Sequence, residues 1–144
     1  GLGHQADVIG PTSGPVPDSA GKGYVKGQAA SSAEERASLA ALYCALMVSE
    51  QLDAISSSHD IIVDGPFGQN PVLMAVLAQL RAGQTLHASD LRDGTTAGAA
   101  CLALIDDGRL PRIGLKLIEV PPATIPGLAD YQALWRQKAY GQSG

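Results

Sequence analysis

Residues 60–70, DIIVDGPFGQN, carry a short β-branched run that stops abruptly in glycine, proline, glycine and asparagine. A second apolar stretch, PVLMAVLAQL, begins at once. An uninterrupted IIV run suits a fully buried parallel strand. GPFG then predicts a tight turn, and Asn70-Pro71 supplies an N-cap with proline at the first helical position. The helix over VLMAVLAQL is expected to end at Gly83. TLHAS (85–89) predicts a second short strand, and GTTAGAACLALID (94–106) a further helix.

Outward from this region, Ser32 followed by Glu35 forms a capping-box signature. ASLAALYCALMVSEQLDAI then reaches Ile55 without Gly or Pro, which predicts one long helix. Leu39, Leu42, Tyr43, Leu46, Met47 and Ile55 recur at three- and four-residue steps, so that face is expected to be core. The opposite face carries Ala37, Ala41, Ala45 and Val48. Because that face is small and apolar rather than charged, the helix should be covered on more than one side. Residues 115–120 alternate as a strand and break on Pro121-Pro122. A helix resumes after Pro126-Gly127, with Tyr131 and Trp135 four apart on the face that docks it. Residues 1–31 are loop-rich, with GPTSGPVPDSAGKG at turn density. Lys22 lacks the Gly-Lys-Ser/Thr ending of a phosphate loop and reads as part of a turn. Helices and strands in this order describe an α/β layered domain over 32–144, preceded by the loop-rich segment 1–31.

Composition narrows the function. The 144 residues suffice for one domain with a real core. A formal charge of −4 and a pI near 5.2 argue against a nucleic-acid partner, which needs clustered basic residues. No apolar run is long enough to span a membrane. Charged residues are only 17% against 45% hydrophobic, and mean hydropathy is +0.07. That balance reflects either apolar surface covered by something outside this chain or simply the high alanine content. Cys44 and Cys101 sit in apolar stretches without ligand-like neighbours, and read as buried, reduced thiols of a cytoplasmic protein. GLGHQADVIG has neither an initiator Met nor a signal-peptide layout, as expected of a chain processed, tagged or cut from something longer. His4 reads as tail, His59 as loop, and His87 as a partly buried strand residue. None stands at a metal-ligand spacing.

The strand-to-helix junction is where chemistry is expected. Ligands of open α/β sheets sit beyond the carboxyl ends of strands, beside helix N-termini. Such an N-terminus, near Pro71, offers backbone N–H groups and a positive dipole end. Gly65 and Gly68 let a flat or anionic ligand approach bare main chain. Asn70 offers a donor and an acceptor, which suits an adenine edge. A second small-residue helix start, with Gly94 and Gly98, could line the other side of the same cleft. The alternative is structural: glycines that only make turns, Asn70 that only caps, and small residues that only allow close packing.

Several segments in order resemble the C-terminal third of the FGGY-type carbohydrate kinases. They are KGYVKG, AEERASLAALYCALMVSEQLDAI, IIVDGPFGQNPVLMAVLAQL, GTTAGAACLAL and YQALW, spanning roughly Gly21 to Trp135. The resemblance implies a partial actin-like, RNase H-like ATPase domain of α/β class, with a short mixed or parallel sheet flanked by helices. It implies ATP with Mg2+ as cofactors, and Gly65, Gly68 and Asn70 around the adenosine, with the Gly94–Gly98 helix packed beside them. It also implies that the first phosphate loop, the sugar pocket and the catalytic aspartate belong to a preceding N-terminal kinase domain. The chain alone is then not expected to phosphorylate sugar. The sugar binds elsewhere, and a homodimer is a further expected association. Asp64-Gly65-Pro66-Phe67 departs from the consecutive glycines common in that family. Pro66 removes an N–H, and Asp64 sets a carboxylate near the expected polyphosphate. Asp7, Asp18, Asp60, Asp64, Asp106 and Asp107 show no catalytic arrangement and read as solvated or capping. The competing class is a non-catalytic α/β interaction or scaffold module.

Overall fold

Hydrophobic runs too short to bury themselves alone are assembled here into two separate units. The computed structural model describes residues 7–9, 24–26, 29–91, 93–106, 108–109, 111 and 114–140. His4, Asp18, Lys22 and Asp107, and the side chain of Asp7, lie outside the described residues. The units comprise residues 1–57 with 123–144, and residues 58–122.

The first unit contains an antiparallel pair, β1 (Asp7–Ile9) and β2 (Tyr24–Lys26), within the segment read as loop. The long helix α1 (Ala33–Ala54) follows. Its start is closed by the predicted capping box: Ser32 Oγ accepts from the Glu35 amide at 3.0 Å, and Glu35 accepts from the Ser32 amide at 3.3 Å. The second helix of this unit, here α5 (Leu128–Tyr140), follows the predicted Pro-Gly break. Trp135 is its anchor at 1% exposure, between Gln132, which donates to Ser49 Oγ, and Arg136, which pairs with Glu50.

Of the large residues expected to mark the buried face of α1, only Leu46 is fully buried. Ala41, Ala45, Leu46 and Ser49 are buried, whereas Ile55 is 74% exposed and Leu39, Leu42, Tyr43 and Met47 are half-buried. Ser49, on the same face as Ala41 and Ala45, accepts from Gln132 of α5.

The second unit holds a mixed three-stranded sheet in the order β3-β4-β5. Strand β3 (Ile61–Val63) pairs parallel with β4 (Leu86–Ser89), setting Ile61 opposite Leu86 and Val63 opposite Ala88. Strand β5 (Leu117–Glu119) pairs antiparallel with β4, with Ala88 opposite Ile118. The parallel crossover runs through a one-turn helix, α2 (Gly65–Gly68), where a tight turn was expected, and then α3 (Pro71–Leu80). Helix α4 (Gly94–Ala103) lies between β4 and β5 in sequence. Leu73, Met74, Val76 and Leu77 of α3 join Ile61 and Leu86 as the buried apolar set. The expectation of a strand buried on both faces fails at Ile62, which is 53% exposed. Cys44 and Cys101 are free thiols, and both are half-buried rather than buried.

Candidate nucleotide-binding turn

All five residues singled out from sequence lie in the second unit, and each glycine there has a different physical setting. Gly65 opens α2 at φ +67, a left-handed conformation that favours glycine. Gly68 packs onto β3: a Cβ built there would stand 2.9 Å from the Val63 carbonyl oxygen. Gly94 is the first residue of α4, and a Cβ there would overlap Asp64 Oδ2. Gly98 faces open space, with nothing near enough to exclude a side chain.

The Asp64–Gly94 approach brings the two glycine-bearing turns together. Asp64 is the residue between β3 and α2, so the start of α4 adjoins the end of the strand that leads into the first turn. Phe67 does not fill this corner from within, since it stands 53% exposed.

Asn70 does what an N-cap should. Its Oδ1 accepts from the amides of Val72 at 3.1 Å and Leu73 at 3.0 Å. Met74 N–H bonds the Asn70 carbonyl, and Pro71 has no N–H to give. The α3 N-terminus therefore offers little to an anion, and Asn70 itself is exposed. Helix α4 is closed in the same way: Asp93 Oδ1 accepts from the Thr96 amide at 2.9 Å and Oδ2 from its hydroxyl at 2.5 Å. Hydrogen bonding to Thr96 holds the Asp93 carboxyl below the usual carboxylate range.

An open groove of about 400 Å3 runs between α3 and β5, lined by Gly68, Gln69, Pro71, Met74, Ala75 and residues 118–121. Of the residues expected at the site, it touches only Gly68. Gln69 and Glu119 give this largely apolar groove its polar side chains. Neither carried a sequence signal, because the junction between α3 and β5 closes only through the sheet.

Two further acidic groups have structural settings. Asp60 lies 3.7 Å from His87 Nε2. Asp90 exchanges bonds with Lys116 at the end of the β4–β5 ladder. Among the described residues no three His, Cys, Asp or Glu side chains gather as a metal site, and no helix is long and apolar enough to cross a membrane.

Comparison with known proteins agrees with this architecture. The sequence matches the family described as carbohydrate kinase FGGY, C-terminal domain, over residues 8–111, more than two thirds of the chain. The chain belongs to that family. A solved structure, a carbohydrate kinase from Novosphingobium aromaticivorans, superposes with a TM-score of 0.69 at 23% identity. The match covers 97% of this chain and 29% of that one, so this chain spans less than a third of that kinase's length. It shows the shared fold. No curated protein matches.

Proposed function

We propose that this chain is the nucleotide-holding C-terminal part of an ATP-dependent sugar kinase, whose intact parent moves the γ-phosphate of ATP to a sugar hydroxyl. The single observation that carries this reading is the junction of two glycine-bearing turns through Asp64 and Gly94. Gly65, Gly68, Asn70, Gly94 and Gly98 are the proposed nucleotide residues, within a nucleotide-binding part formed by residues 32–144 and led by the segment 1–31.

The donor set divides the nucleotide. Base and ribose are assigned to the junction of the two turns, with bare main chain at Gly98 and an exposed Asn70. Phosphates fit poorly, because Asn70 and Asp93 already take first-turn amides and Asp64 adds negative charge. The Mg2+ ligands, the phosphate clamp, the general base and the sugar pocket would therefore come from the preceding kinase domain, as in-line phosphoryl transfer requires. When bound there, Mg2+ would neutralise charge on the transferring phosphate. This chain's own part is to orient the adenosine. A cytoplasmic parent, supplied with ATP there, is part of this proposal.

The test is titration of the isotope-labelled chain with ADP, followed residue by residue by heteronuclear NMR. Saturable movement of the Gly65, Gly68 and Asn70 amides is expected. A spectrum that ADP leaves unchanged would instead favour a non-catalytic interaction module, for which the packing of Gly68 on Val63 is the supporting observation.

A further inference from the structure

We propose that Asp64 is a positioning residue, one that fixes the first turn of α4 beside the Gly65–Gly68 turn and so sets the spacing of the nucleotide corner. The inference rests on the nucleotide reading above. Asp64 follows β3 in extended conformation (φ −116, ψ 176) and makes no side-chain hydrogen bond that caps α2. Its carboxylate lies instead across the α4 start, in the volume that a residue-94 side chain would need. A negative group is favoured there by the aligned peptide dipoles of the first turn. Asp93 already supplies the hydrogen-bonding cap of that helix, so Asp64 is not needed to satisfy a Thr96 donor. What Asp64 adds is a tie between two turns 30 positions apart in sequence.

The same geometry explains why α4 begins on glycine, a poor helix former. An alanine at 94 would displace Oδ2, the far end of a flexible side chain, and not backbone. Gly94→Ala should therefore fold, yet push the Asp64 carboxylate off the α4 start. It becomes a second, independent way of breaking the same tie.

Four variants test the tie: Asp64→Asn, Asp64→Ala, Gly94→Ala and the Asp64→Ala/Gly94→Ala double. Each is titrated with adenosine, which carries no phosphate for Asp64 to repel, with melting and amide spectra recorded alongside. Each single change should weaken adenosine about two- to fivefold, the range of a carboxylate–helix-start interaction. The double should be no weaker than the weaker single, because both changes remove one contact. The Gly94 and Thr95 amide signals should move in Asp64→Asn, with melting nearly unchanged. Independent, additive losses, or Gly94 signals indifferent to Asp64, overturn the positioning role. If wild type binds adenosine and every variant binds it equally, that role alone falls. If wild type does not respond to ADP, the nucleotide reading falls and takes the positioning role with it.

Discussion

Asp64 and Gly94 fit each other: the aspartate carboxylate fills the place where a side chain at 94 would begin. Gly68 is constrained differently, because its missing side chain leaves room for the backbone carbonyl of Val63. A side chain can swing aside, whereas a strand carbonyl cannot.

Gly68→Ala should therefore be the costlier of the two glycine substitutions. Overpacking against a fixed backbone atom costs about 1–3 kcal/mol. Urea unfolding measures it directly, and a Gly68→Ala protein as stable as wild type would contradict the close approach.

Asn70 separates stability from binding. Asn70→Ala removes the acceptor for two amides and should cost about 1 kcal/mol, read as a fall in melting temperature of several degrees. Asn70→Asp keeps an acceptor at that point and should preserve stability. It loses the side-chain amide donors and should weaken ADP binding. Equal binding by Asn70→Asp and wild type would remove Asn70 from the site.

Much of this organisation was legible in the sequence, for local reasons. The Ser32/Glu35 box, the Asn70-Pro71 helix start, the strands at 61–63 and 86–89, and the helix after Gly127 all declare themselves within a few residues. What stayed hidden depends on partners distant in the chain. Ala41, Ala45 and Ser49 are buried on a face that Gln132 of α5 reaches, and no periodicity on α1 alone discloses that face. Asp64 read as an awkward charge because Gly94 only meets it after the crossover is built. The β1–β2 pair consists of three-residue strands within turn-rich sequence, too short to show a period.

In the first unit, Arg136 Nε donates to Glu50 Oε1 at 2.5 Å and Nη2 to Asp53 Oδ2 at 2.7 Å. The Glu50 side chain is only 9% exposed. Among the described residues, Arg136→Met would leave that carboxylate with one hydrogen-bond donor, Tyr140, and should cost about 1–3 kcal/mol after allowance for the half-exposed arginine. Denaturant unfolding of the variant is the check, and a neutral result would make the cluster a surface ornament.

Tyr140 predicts a pH dependence. Burial first, then the hydrogen bond to Glu50, pushes its phenol from the ordinary 10.0 up to about 12. The folded chain thus holds that proton longer than the unfolded chain does. This contribution is intact below pH about 10 and is lost as pH rises from about 10 through about 12. Melting curves across that window should fall more gently for Tyr140→Phe than for wild type. Parallel slopes would contradict the assignment.

The most direct measurement is photolabelling of the chain with an 8-azidoadenine nucleotide, with the modified peptide located by mass spectrometry. Labelling confined to residues 60–100, and suppressed by excess ADP or adenosine alike, is the predicted result. Labelling spread along the chain, or indifferent to competitor, would contradict a nucleotide corner built from Gly65, Gly68, Asn70 and the α4 start.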